Sequence, residues 1–319
     1  MYDSLLIFLI STKDKRRHLT ALKCLNPKMS HKLPKAGTPI PKAVVKDQFE
    51  FGPWTCTSFK SHILKSEGQE RDEYEAQLSL PHLPEMVFDK NRLHIEHQNG
   101  FGLEFNALDA LKLVRDDQAD LKVAEADEWL AARVDSDHAK NIFRPYDWTF
   151  TTDYKGTPLS RGGIQLGVSD TNERINIEKL KKGGKIQFYA EMVLFEDELH
   201  DSGTSMLKVQ IRVMPDYFFI LQRFFMRVDK VLVRINDTRV YHEAGTDYIL
   251  REYTSKQNRV EDLKVPPEYI TDPNLLSDHM TKTKEKFEKL TFPTTNPTLK
   301  PVASNSRISC TPVSAGSAT

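Results

Sequence analysis

The chain has 319 residues, 39% of them hydrophobic, which is enough to bury one large core or two small ones. Its 45 basic side chains balance 45 acidic ones, a neutrality that excludes a general electrostatic footprint for nucleic acid or for an anionic membrane. Cys24, Cys56 and Cys310 lie too far apart for a zinc motif or a compact disulfide framework, so a reducing, cytoplasmic setting is expected.

At the start of the chain, the apolar run Leu5 to Ile10 is too short to span a bilayer. Asp3 precedes it and Lys13, Lys15, Arg16 and Arg17 follow, the reverse of a signal peptide's charge order. The stretch up to Gln48 mixes basic residues with Pro27, Pro34, Pro39 and Pro41, and residues 1–48 read as a disordered arm. Aromatic and β-branched residues concentrate after it, which makes 49–293 the expected folded domain. The Ser, Thr and Pro of 294–319 read as a disordered tail, because they bury too little apolar surface to offset the entropy of ordering.

Within the domain, Leu93, Ile95 and His97 alternate with polar neighbours before Asn99-Gly100. A three-residue Gln98-Asn99-Gly100 loop sets Leu93 opposite Phe105 and Ile95 opposite Leu103, which matches the apolar faces; a two-residue loop would set Ile95 opposite Glu104. Asn106 is placed to cap a helix whose stripe is Ala107, Leu108, Leu111 and Val114. A second helix is expected around Glu125 to Arg133. From Arg144 to Gly156 the residues suit an extended contact strand, with Tyr146, Trp148, Phe150 and Thr152 on one side, the three aromatics as core anchors, and Asp147, Thr149, Thr151 and Asp153 on the other.

Further along, Ile186 to Leu194 and Leu207 to Val213 alternate as strands. Between Tyr217 and Tyr241, a two-residue loop at Asp229-Lys230 pairs Val228 with Val231, Met226 with Val233 and Phe224 with Ile235, each pair apolar. The second face of that hairpin then carries Arg223, Arg227 and Arg234 among Phe225 and Leu232, a composition suited to an interaction surface. Glu285 to Leu290 reads as a short closing helix. The fold class is α+β: an antiparallel, sandwich-like core of hairpins with several helices at one face or end.

No residue nominates itself for catalysis. There is no Gly-x-Ser-x-Gly elbow, and Gly162-Gly163 and Gly183-Gly184 lack the spacing of a phosphate-binding loop. Phe195 to Asp201 gathers four carboxylates with His200, and a metal-dependent hydrolase of β-sandwich or cupin-like architecture using His200, Glu196 and His242 is the alternative reading. His94 and His97 are three apart on a strand, hence on opposite faces.

Several segments together resemble a known family: Phe51-Gly-Pro-Trp54, Leu83-Pro-Glu-Met86, Gly100 to Ala107, Pro145 to Gly156, Leu194 to Asp201, Ile211-Arg-Val-Met-Pro215, Arg234-Ile-Asn-Asp-Thr-Arg239, Tyr241-His-Glu243 and Leu250-Arg-Glu-Tyr-Thr-Ser255. In that order the chain resembles the TOR signalling pathway regulator-like, or Tip-forty-one-like, proteins over roughly Phe49 to Phe292. The resemblance implies a non-enzymatic regulator that binds catalytic subunits of type 2A and related serine/threonine phosphatases and restrains them, in TOR signalling. No cofactor, metal, nucleic acid, membrane or small-molecule substrate is expected.

Carried over residue by residue, the resemblance implies partner-binding roles for Asp109, in Phe-Asn-Ala-x-Asp-Ala-Leu, and for Asp237, in Asn-Asp-Thr-Arg, with Ile235 beside it. It also implies one for Ile175, although Asn172 to Asn176 diverges from the pattern. The hairpin register expected above puts Ile235 in the core against Phe224 and leaves Asp237, nearer the strand end, at the surface. Two further departures are the arm before Phe49, which is unlike the family, and Lys230, which stands where a glycine is usual.

Overall fold

The computed structural model describes residues 44–114, 149–199, 201 and 203–293. Alternating apolar side chains and tight turns fold these into two antiparallel sheets. In chain order the strands are β1 (Val45–Phe51), β2 (Trp54–Lys60), β3 (Met86–Val87), β4 (Arg92–His97), β5 (Phe101–Asn106), β6 (Thr157–Ser160) and β7 (Gly167–Asp170). There follow β8 (Phe188–Asp197), β9 (Gly203–Val213), β10 (Tyr217–Val228), β11 (Leu232–Glu243), β12 (Tyr248–Arg259) and β13 (Lys282–Thr291). A five-stranded sheet runs β1-β2-β4-β5-β6, and an eight-stranded sheet runs β3-β8-β9-β10-β11-β12-β13-β7. The short helices are α1 (Gln69–Glu75), α2 (Ala107–Leu111), α3 (Ile177–Lys181), α4 (Pro267–Thr271) and α5 (Pro273–Leu276), so the α+β expectation holds. Among the described residues no helix is long and apolar enough to cross a membrane.

The main core lies between the sheets. Trp54, Leu93, Ile95, Phe101 and Phe105 from the smaller sheet meet Leu207, Val209, Phe218, Phe224 and Met226 from the larger. Residues at even positions of β10 face this core, and those at odd positions face outward, as a two-residue period requires. The outer face carries two smaller apolar patches. One gathers Ile175, Leu180, Tyr217, Phe219, Tyr241 and Leu250 beneath α3. The other gathers Phe225, Val233, Ile235, Leu276 and Met280 beneath α4 and α5.

The β4–β5 hairpin has the expected register, Leu93 against Phe105 and Ile95 against Leu103, and Asn106 caps α2 by accepting the Asp109 N–H at 2.8 Å. Three other expectations are corrected. The β10–β11 loop has three residues, so Val228 faces Leu232, Phe225 faces Ile235 and Met226 faces Arg234. Lys230 makes this possible by adopting a left-handed conformation at φ 60°, and the Val231 N–H returns to the Val228 carbonyl. One added loop residue moves every side chain of β11 to the other face. Arg234 and Leu232 consequently point inward, away from Arg223 and Phe225.

The second correction concerns the aromatic run. Residues 150–156 form no strand, and Thr149, Phe150, Thr151 and Thr152 are all buried, without alternation. The segment crosses between the sheets and takes its partners from side chains. Asn236 Nδ2 donates to the Thr152 carbonyl at 2.9 Å, Gln222 Nε2 donates to that of Tyr154 at 2.6 Å, and Arg234 Nη1 donates to Thr151 Oγ1 at 2.9 Å. Phe150 is a core residue as expected, while Tyr146 and Trp148 lie outside the described residues.

Third, Glu285 to Leu290 belongs to β13 and not to a helix. Glu288 and Leu290 share one face of this strand, where Glu288 meets Arg251 of β12 at 2.7 Å and Leu290 packs in the core. In addition, β1 begins at Val45, four residues before Phe49. The expected helix around Glu125 to Arg133 falls outside the described residues.

Candidate partner-binding face

The outer face of the eight-stranded sheet is polar between its two apolar patches. Register aligns Lys208, Arg223, Asp237 and Thr254 across β9 to β12 in one row. The adjacent row carries Gln210, Leu221, Arg239 and Glu252. Asp237 sits at the middle of this band and is only 2% exposed, so it does not lie at a strand end or at the surface. Its carboxylate accepts two hydrogen bonds from Arg223, Nε to Oδ1 at 2.7 Å and Nη2 to Oδ2 at 2.8 Å, the paired geometry that suits a guanidinium. Arg239 Nη2 approaches the second oxygen at 3.6 Å. Burial alone would raise the Asp237 carboxyl, but the charge and hydrogen bonds of Arg223, with the charges of Arg239 and Lys256, together outweigh it and hold the group below the ordinary carboxylate range. The remaining Arg223 nitrogen, Nη1, donates to Asn274 of α5 at 2.7 Å, so the pair also fastens a helix to the sheet.

Ile235 is two residues from Asp237 on the same face. It is a core residue as expected, but of the patch beneath α5 and opposite Phe225. Ile175 packs beside α3, and its N–H donates to Glu252 Oε1 at 2.8 Å. Glu252 is the register partner of Arg239, so Ile175, Ile235 and Asp237 support one continuous stretch of the outer face.

Asp109 is elsewhere. It lies in α2 beside the smaller sheet, with its side chain 30% exposed. Its Oδ2 accepts from Asn106 Nδ2 at 3.0 Å and from Thr157 Oγ1 at 2.6 Å. The structure thus brings three of the four expected residues to one face and leaves the fourth on the other layer. Of the three arginines expected on a single face, Arg223 occupies the polar band, Arg227 pairs with Asp229 at 2.6 Å near the loop, and Arg234 is turned inward. Arg239, Glu252 and Asn274 were not singled out from sequence. Only the Asp-Thr-Arg spacing, which puts Arg239 on the same strand face as Asp237, could have pointed to the first of them.

Register does not bring Glu196 and His242 of the metal-site alternative together. Glu196 aligns through Met206 and Phe225 with Ile235, seven residues along β11 from His242. That is about 23 Å of strand, and the odd spacing turns the two side chains to opposite faces. His200 lies outside the described residues, and among those described no three His, Cys, Asp or Glu side chains are grouped to hold an ion.

The model of the TIP41-like family matches residues 86–264, more than half of the chain and a span that contains Asp109, Ile175, Ile235 and Asp237. The chain belongs to the TIP41-like family. The TIP41-like protein of Homo sapiens is 51% identical over 246 residues, covering 77% of this chain and 89% of that protein. A protein named type 2A phosphatase activator TIP41 in Saccharomyces cerevisiae is 35% identical over 284 residues, covering 80% and 78%. Its namesake in Schizosaccharomyces pombe is 32% identical over 255 residues, covering 77% and 99%. This TIP41-like chain is therefore matched along most of its described length, consistent with the family order of its motifs.

Proposed function

We propose that this TIP41-like chain is a non-catalytic regulator, acting in the cytoplasm and in TOR signalling, that binds the catalytic subunit of type 2A family serine/threonine phosphatases and restrains it. The observation that carries the reading is membership of a family whose fungal relatives are named for type 2A phosphatase. The polar band supports it physically: a buried charge pair fixes the face, and beside it the half-buried cations Lys208, paired with Glu191 at 2.8 Å, and Arg239, 3.6 Å from Asp237, give it a charge pattern that a partner could meet. In this reading Ile175, Ile235 and Asp237 act by shaping the face, and Asp109 contacts the partner from the smaller sheet. The fungal names call those proteins activators, so restraint is the part of the proposal that a rate measurement must carry.

The test is capture of a type 2A catalytic subunit by the folded full chain, together with the rate of phosphopeptide hydrolysis at saturating chain. Capture and a lowered rate are expected, weakened by Asp109→Leu and by Asp237→Asn. Because Asp237→Asn also strikes a buried pair, Lys208→Glu with Arg239→Glu probes the same face through more exposed positions. Absence of capture by the folded wild type overturns the proposal. Capture with a raised rate overturns restraint and leaves the association standing.

A further inference from the structure

A cleft of about 640 Å³ opens at the end of the sandwich, between the β1–β2 turn at Gly52-Pro53 and the β11–β12 turn at Ala244 to Asp247. It is separate from the polar band. His242, in its wall, is five residues along β11 from Asp237 and on the inner face. Trp54 and Phe292 each touch both imidazoles of the wall: Trp54 lies 5.0 Å from His97 and 5.3 Å from His242, and Phe292 lies 5.7 Å and 5.5 Å away, ring centre to ring centre.

The imidazoles present a defined pattern. His242 Nδ1 lies 2.9 Å from the Tyr248 carbonyl, which only accepts, so Nδ1 carries the proton and Nε2 is left as an acceptor. His97 Nδ1 accepts the Asn99 N–H at 3.2 Å, so its Nε2 carries the proton and is left as a donor. Burial lowers the pKa of both, which keeps them neutral at physiological pH. Trp54 is fully buried, and its indole N–H has no acceptor among the described residues. An amide, with one carbonyl and one N–H, matches such a wall.

At the mouth the charge has one sign. Glu50 and Asp247 are exposed there, no Lys or Arg among the described residues lines the cleft, and Gln48 and Thr55 hold the Glu50 carboxylate in place at 3.0 and 2.9 Å. Anions are disfavoured, and a planar guanidinium, which stacks on aromatic faces while its edge donates to carboxylates, is favoured.

We propose that this cleft binds an arginine-bearing peptide segment of a partner protein, with the guanidinium at Glu50 and Asp247 and a backbone amide at His97 and His242. The probe is the peptide acetyl-Gly-Arg-Gly-amide, titrated into the full ¹⁵N-labelled chain while the Trp54 indole N–H resonance is followed. That resonance is assigned by elimination with Trp129→Phe and Trp148→Phe. A saturable shift is expected, with affinity at least tenfold weaker in Glu50→Gln/Asp247→Asn and no shift for acetyl-Gly-Glu-Gly-amide. Both substitutions are at exposed positions, and unchanged resonances elsewhere verify the fold. No shift with the arginine peptide, an equal shift with the glutamate peptide, or undiminished binding by the variant overturns the proposal. A shift of the Trp54 resonance on Lys300→Gln/Arg307→Gln with no peptide present would mean that the chain's own C-terminal segment fills the cleft, which also overturns it.

Discussion

Arg223 grips Asp237 through two hydrogen bonds from directly opposite positions of β10 and β11, and both side chains are buried. Removing one partner leaves the other charged and unpaired in the interior. Asp237→Asn is therefore expected to cost about 3–5 kcal/mol, read from urea unfolding, whereas Arg223→Met/Asp237→Leu recovers most of that loss. The depressed carboxyl gives the pair a pH signature. Its contribution is complete above the unfolded carboxylate pKa of about 3.9 and is lost as pH falls through the lower folded value. The apolar double variant should lose less stability than the wild type over that acid range.

Lys230 holds the three-residue loop with φ 60°, a region that costs an L-residue about 1–2 kcal/mol. Glycine removes the strain but adds about 0.5–1 kcal/mol of unfolded-state entropy. Lys230→Gly should thus raise stability by no more than about 1.5 kcal/mol. Lys230→Val, whose branched Cβ resists the left-handed region, should lower it by more than about 1 kcal/mol in the same urea series.

Gly102 in β5 is required for another reason. A Cβ there would run into the Ile95 carbonyl oxygen of β4, which is backbone and cannot step aside. Gly102→Ala is expected to cost about 1–3 kcal/mol, as forced overpacking does, and to speed amide exchange across the β4–β5 hairpin.

His94 stands between two carboxylates, with Nδ1 2.8 Å from Glu104 and Nε2 3.3 Å from Glu96. The Glu104 hydrogen bond raises its pKa and outweighs the opposing effect of burial. Its stabilising contribution is fully present below the unfolded value of about 6.5 and disappears as pH climbs through the raised folded value. His97 and His242 have lowered pKa values, so their contribution runs the other way and is lost as pH falls below about 6.5. An NMR titration of the three imidazoles should show His94 titrating highest. His94→Gln should flatten the loss of stability above neutral pH.

The β4–β5 hairpin was legible because Asn99-Gly100 and the apolar alternation select the same register, and Asn106 marks the helix start unambiguously. The β10–β11 hairpin was not. Pairing apolar with apolar is a sound rule only where inward polar residues have no use, and here Gln222 and Asn236 are turned inward to serve the 150–156 backbone and Arg234 to serve the Thr151 hydroxyl. That same backbone, bonded to side chains and not to a strand, is why an aromatic run with strand composition forms no strand. Asp237 could be singled out by its motif, but its burial depended on Arg223, fourteen residues away, and on the loop length that sets them opposite.

The 150–156 strip also bears on how the chain reaches its fold. Its bonds to Gln222 and Asn236 join positions 68 and 84 residues apart, so they close late, after a large loss of chain entropy. Until they close, the inner face of β10–β11 holds buried polar groups without partners, each costing about 1–3 kcal/mol. A sheet formed early would stay unfinished on its inner face until this extended piece arrives, so strand pairing alone does not complete the fold.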